Sequence, residues 1–153
     1  MAGIKGLDNV LKNLSKFGDE VLDLVIEVTD ANVKEIVAEA KRRAPVDKGN
    51  LQQSIYGNVI KSKKHLLLYE IGVGGAATKY APYVEFGTGT KVDLSLLKKA
   101  GFPNSFAAKF KGKGIKKVNI QPQPYFFPAY LNGRRKYVKD LNNELKHLVS
   151  KYG

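Results

Sequence analysis

Three carboxylates near the middle of the chain, Glu70, Glu85 and Asp93, come closest to an acid/base or metal-binding set. Hydrolysis by general acid/base catalysis needs a positioned proton donor and acceptor at one bond, and metal-assisted hydrolysis needs carboxylates converging on an ion. No spacing among these three is diagnostic of either. Other reactive groups are scarce. The chain has no cysteine and two histidines, His65 and His147, 82 positions apart. That excludes disulfide staples, thiol nucleophiles, Cys-dependent zinc sites and any local histidine metal motif. Gly72, Gly74 and Ala77 satisfy a G-x-G-x-x-A pattern behind a predicted strand. The pattern binds a dinucleotide only where a helix opens on it, and Pro82 arrives too soon for one. P-loop, H-E-x-x-H, G-x-S-x-G and EF-hand patterns are absent. The chain therefore reads as a non-enzyme, with no catalytic residue, cofactor or metal. Glu85, set among Tyr83, Val84 and Phe86, is expected to be a partly buried carboxylate in a structural or interface ion pair.

Charge is the first positive signal. The chain has 153 residues, 43% of them apolar and 26% charged, which suits one modest core and a single domain. Its net charge of +12 is unevenly spread: residues 1–40 carry four lysines and eight acids, while residues 41–153 carry twenty-two basic and six acidic residues. Such asymmetry points to partners of opposite sign. Lys109, Lys111, Lys113, Lys116 and Lys117, with Gly112 and Gly114 between them, form a cationic loop facing either an acidic partner or DNA. The cations include only four arginines, which disfavours base readout. A nucleic-acid-binding accessory protein is the rival reading, tested by the salt dependence of DNA affinity. No apolar run reaches membrane-spanning length, and no basic-then-apolar leader opens the chain.

The elements that must position these residues are expected in four stretches: helical over 1–44, a β-hairpin over 45–73, loops with short helices over 74–121, and an extended approach plus a C-terminal helix over 122–153. In the first, apolar residues recur at helical spacing through Leu7, Val10, Leu11, Leu14 and Phe17, then from Val21 to Ala40. Gly18 predicts either a break into two helices or a kink, and Pro45 predicts the end near Ala44. PVDKGN, residues 45–50, is turn chemistry: Pro45 fixes φ, Asp47 accepts backbone N–H groups and Gly49 tolerates positive φ. Leu51, Ile55 and Val59 alternate with polar residues, as do Leu67, Tyr69, Ile71 and Val73, predicting an antiparallel hairpin with a basic tip at 61–64. The glycine-rich stretch 72–79 is expected to be a loop that orders on docking. Pro82 suits a helix start and Gly87 its end. Asp93 and Gly101 bracket two further helical turns, after which Phe102, Phe106 and Phe110 are expected to dock on this domain or a neighbour. Val118 and Ile120 suggest another strand. QPQPYFFP, residues 121–128, is expected to be extended, with Pro128 opening a helix whose apolar face carries Tyr130, Tyr137, Leu141, Leu145, Leu148 and Tyr152.

Three segments in this order, APVDKGNLQQSI (44–55), YAPYVEFGTGT (80–90) and QPYFFPA (123–129), resemble the signature of a family of small neck or tail-completion proteins of long-tailed bacteriophages, the tail-component family of gene-product-ten type. The likeness runs from about residue 31 to the C-terminus, and its middle motif is the most specific. The resemblance implies an α+β fold, in which a long N-terminal helix packs across a small antiparallel sheet of three or four strands, with a C-terminal helix and long loops. It implies a structural virion protein of the head–tail joint, without catalysis. Such a protein assembles as a homo-oligomeric ring between the portal or head-completion complex and the tail tube. Its location is the virion, with the host cytoplasm during assembly, and its non-specific neighbour is the DNA in the lumen. A tail terminator capping the tube is the nearest alternative. By match to the motifs, Pro45, Asp47, Gly49 and Leu51 form the turn into the sheet. Tyr80, Tyr83, Val84, Glu85, Phe86 and Gly87 form the central anchor, and Pro124, Phe126 and Pro128 lead into the last helix. Lys48 stands where such proteins commonly carry threonine, and the stretch 91–117 is long for the family.

Overall fold

The computed structural model of the protein describes residues 7–63, 66–105 and 119–152. Its architecture is α+β and mostly helical: a long N-terminal helix, a two-stranded antiparallel sheet, and a C-terminal helix joined by short helical turns. Helix α1 (Leu7–Arg43) runs through Gly18 as one continuous helix, so of the two expected readings the break into separate helices does not occur. One glycine costs a helix only ~1 kcal/mol relative to alanine, less than its flanking turns supply. The helix stops where Pro45 requires, with the Ala44 N–H still bonded to the Ala40 carbonyl at 2.9 Å. The C-terminal helix, here α5, spans Phe126–Tyr152.

The described residues fall into two compact units. The first comprises residues up to Asn32 together with those from Arg135 onward. There α1 and α5 pair antiparallel: the Phe17 and Tyr152 rings meet edge to face at 5.2 Å, and the Thr29 and Tyr137 hydroxyls lie 3.1 Å apart. Lys151 Nζ donates to Glu20 Oε2 at 3.0 Å. Hydrogen bonds from Tyr152 and then Lys151 hold the Glu20 carboxyl below its ordinary range.

The second unit spans Val33–Arg134. Asn50–Ser54 form a helical turn, α2, so Leu51 belongs to a helix and not to the predicted strand. Gly49 takes φ +75° ahead of it, and its carbonyl accepts the Gln53 N–H at 3.0 Å. The Asp47 side chain is exposed and takes no part in that turn. Strands β1 (Ile55–Lys63) and β2 (Leu66–Val73) pair antiparallel from Ile55↔Val73 to Lys63↔Leu66, with an irregularity at Ile60. The sheet holds two strands among the described residues, against three or four expected. Residues 119–125 add none, because Pro122 and Pro124 have no N–H to give to a ladder.

The glycine-rich stretch forms a 3-10 turn over Gly75–Lys79 in place of the expected loop, with Ala77 in the core. Its glycines have a packing reason. The Tyr56 ring lies over Gly72 and Gly74, so a Cβ on Gly72 would come within 3.1 Å of the tyrosine hydroxyl. Next come α3 (Ala81–Phe86) and α4 (Ser95–Lys99). One core gathers Ile36 and Ala40 of α1, Ala44 just past its end, and Leu51, Ile55, Ala77, Ala81, Tyr125 and Ala129. A second packs Phe86 and Leu97 against Leu94 and Phe127, and Phe102 meets Phe127 edge-on at 5.6 Å. Phe106, Phe110 and the cationic run Lys109, Lys111, Lys113, Lys116 and Lys117 lie outside the described residues, as does Val118.

Two interior glycines set how closely elements approach. A Cβ on Gly57 of β1 would meet Val33 Cγ1 at 2.6 Å and Val37 Cγ2 at 3.0 Å, so the last turns of α1 rest directly on the strand. A Cβ on Gly133 would overlap the Ile36 side chain, so the α5 backbone rests directly on that side chain of α1. The long helix is thereby seated on the sheet, as the resemblance implied.

Candidate functional site

The site begins with a short helix. Pro82 lies in the first turn of α3, where its missing N–H costs nothing. Gly87 ends that helix at φ +75°, returning its N–H to the Tyr83 carbonyl at 2.9 Å. The four residues between these punctuation marks include Glu85 and Phe86, both buried, and Glu85 is only 3% exposed.

The Glu85 partner is not a cation. Its Oε2 accepts the backbone N–H groups of Tyr125 and Phe126, both at 2.9 Å, and its Oε1 accepts that of Phe127 at 3.0 Å. These are the N-cap and first two N–H groups of α5, which no helical carbonyl reaches. The next residue, Pro128, has no N–H. One carboxylate and one proline therefore account for all four orphan donors of the helix start. The expected ion pair is thus a cap supplied from forty residues upstream, and a lone negative charge suits that end of the helix dipole. Burial pushes the Glu85 carboxyl above its ordinary range by more than the three N–H bonds pull it down. Burial, with the Glu85 charge, also pushes the Tyr125 phenol well up.

The same two segments are laced elsewhere. The Gln123 N–H donates to the Val84 carbonyl at 2.8 Å, and the Thr88 N–H to the Ile120 carbonyl at 3.1 Å. Thr88 Oγ1 accepts the Ile120 N–H at 2.9 Å, and Asn119 Oδ1 accepts the Thr90 N–H at 3.1 Å. Helix α5 opens at Phe126, two residues before Pro128, so only the residues before it are extended.

The structure brings the three motif segments together. Leu51 shares the main core with Ala44, Ile55, Ala81, Tyr125 and Ala129, and Val84 and Phe126 pack against it. Phe86 reaches Phe127 at 5.5 Å. Pro45, Asp47, Tyr80 and Pro124 lie outside those clusters, with Tyr80 exposed. The carboxylates first weighed for chemistry do not converge. Glu70 accepts the Tyr56 hydroxyl at 2.7 Å, and Asp93, two residues before α4, accepts the Ser95 N–H at 2.8 Å. That backbone bond holds the exposed Asp93 below its ordinary range. No group of three metal-capable side chains occurs among the described residues. Sequence reading missed Thr88, Tyr56, Gly57 and Gly133. A lone glycine inside a strand or helix pattern was the available signal for the last two.

A buried carboxylate spent on backbone donors, between aromatic anchors, defines a structural brace in a small α+β protein. The family model described as "Bacteriophage HK97-gp10, putative tail-component" matches residues 8–87, just over half the chain, and the protein belongs to that family. Its role is accordingly that of a structural component of the phage tail. Comparison with curated proteins and with solved structures gives no match. The matched span reaches further toward the N-terminus than residue 31 and ends at Gly87, so it covers the Glu85 side of the brace.

Proposed function

We propose that the protein is a neck or tail-completion component, forming a ring at the head–tail joint that links the portal or head-completion complex to the tail tube. One observation carries the reading: Glu85 is consumed in fixing α3 to the start of α5, so the central motif shapes a contact piece. On this reading the motif residues Pro45, Asp47, Gly49, Leu51, Tyr80, Tyr83, Val84, Glu85, Phe86, Gly87, Pro124, Phe126 and Pro128 build the adhesive framework. Lys109, Lys111, Lys113, Lys116 and Lys117 face a protein neighbour or the DNA passing through the lumen. A closed ring uses heterologous contacts, each copy presenting two different complementary surfaces. The acidic first forty residues and the basic remainder supply that difference.

Deletion of the gene, followed by electron microscopy of lysates, tests the assignment. The expected result is DNA-filled heads beside separate tails, which join when purified protein is added back. Joined, infectious particles without the protein overturn it. Empty heads, or tails of uncontrolled length, place the protein at another assembly step.

A further inference from the structure

The first compact unit offers two outward faces of opposite charge. On α1, Asp19, Leu22, Asp23, Ile26 and Glu27 recur at three- and four-residue spacing and share one side of the helix. The side that meets α5 carries Phe17, Glu20 and Thr29. Leu22 and Ile26 are 36% and 43% exposed, and Asp19, Asp23 and Glu27 are exposed as well. No basic residue occurs between Phe17 and Val33. On α5, Val138, Lys139, Asn142, Lys146 and Val149 form a second exposed stripe, with the valines at 53% and 56%. No acid lies in it. Val149 also borders an open apolar groove of about 420 Å³ with Val10, Leu14, Phe17 and Tyr152.

Each face is an apolar strip edged with charge, and neither is satisfied within one copy. Asp19, Asp23, Glu27, Lys139 and Lys146 form no ion pair among the described residues. Leucine and isoleucine edged by acids on one helix match valines edged by lysines on the other.

We infer that the acidic face of α1 in one copy docks on the basic face of α5 in the next, making a head-to-tail contact between identical copies. This deepens the ring reading and rests on it. Apolar contact supplies most of the affinity, and the charges set the register and prevent α1 from meeting α1 or α5 from meeting α5. Because the two faces differ, the contact propagates and does not stop at a dimer.

Two charge-reversed variants test it, read by sedimentation velocity with circular dichroism as the control for folding. The α1 variant carries Asp23→Lys and Glu27→Lys; the α5 variant carries Lys139→Glu and Lys146→Glu. All four positions are exposed, so both variants are expected to keep the wild-type helical content. Each alone sets like charges against one another at the altered positions and is expected to associate at least about tenfold more weakly than wild type. An equimolar mixture of the two restores opposite charges wherever the α1 variant's altered face meets the α5 variant's, and is expected to recover association. Wild-type behaviour of either variant alone, or no recovery on mixing, overturns the pairing of faces while leaving ring assembly intact. A wild-type protein that never self-associates, in solution or in isolated necks, overturns the ring reading and this inference together.

Discussion

Glu85 is the residue on which the described site turns. Replacing it with alanine leaves three backbone donors at a buried helix start without an acceptor. A lost cap costs about 0.5–2 kcal/mol, and buried donors left unsatisfied cost about 1–3 kcal/mol. Glu85→Ala is therefore expected to destabilise by about 2–4 kcal/mol, checked by urea unfolding. Glu85→Gln keeps one acceptor oxygen but turns an amide toward N–H groups, and falls between alanine and wild type. Burial raises the Glu85 pKa, so the carboxyl takes up a proton more readily in the folded chain than in the unfolded one. The native state then holds more protons than the unfolded one, and stability falls as pH rises. This contribution is complete below the ordinary glutamate pKa and is lost as pH climbs through the raised one. Melting temperatures from acid to neutral pH should show wild type losing ground to Glu85→Gln; an unchanged gap between the two would contradict the assignment. Composition and spacing singled out Glu85 and placed it in a buried setting. They did not reveal its partner, because three backbone N–H groups forty residues away leave no trace in side-chain identity.

Elements were legible where local rules govern them and obscure where tertiary contact decides. Pro82 and Gly87 bounded α3 correctly, and Pro45 ended α1, since both residue types act on their own backbone. Residues 50–54 looked like strand because Leu51 and Ile55 fit an alternating pattern. The same four-residue spacing also fits one helical turn, and only the chain direction set by Gly49 chooses between them. The close approaches at Gly57 and Gly133 depend on which elements meet, which one sequence does not state. Gly133 and Gly87 make definite predictions. Gly133→Ala improves intrinsic helix propensity by ~1 kcal/mol, so on propensity alone it would stabilise. Its methyl group must instead displace Ile36, and overpacking typically costs about 1–3 kcal/mol. The expected net effect is destabilisation, while the Gly18→Ala control, with nothing near its Cβ, stabilises. Chemical unfolding of the pair separates packing from propensity. Gly87→Ala combines a positive φ with a Cβ 2.7 Å from the Ile120 carbonyl oxygen. It should loosen the lacing between 84–90 and 119–123, seen as faster amide exchange at Thr88 and Gln123.

At the scale of the whole molecule, the charge distribution outlasts any single contact. A net charge of +12 makes identical copies repel one another at long range, yet the proposed ring brings them side by side. The acidic first forty residues offset part of that repulsion. The five lysines between 109 and 117, by contrast, are a dense positive run with no acid among them. In a ring those runs recur once per copy, and their mutual repulsion is relieved only by a negative partner, whether protein or DNA. Replacing all five with glutamine removes the repulsion and the attraction to the partner together. Two consequences then move in opposite directions. Self-association of the purified protein should strengthen, most clearly in dilute salt, where screening is weakest. Joining of heads to tails should weaken, lowering infectious yield by about tenfold or more if the run steers docking. Stronger self-association with unchanged yield would mean that the run repels neighbours and binds nothing. A loss of both would mean that the lysines hold copies together, which a run of like charge achieves only by bridging through an acidic surface on the next copy.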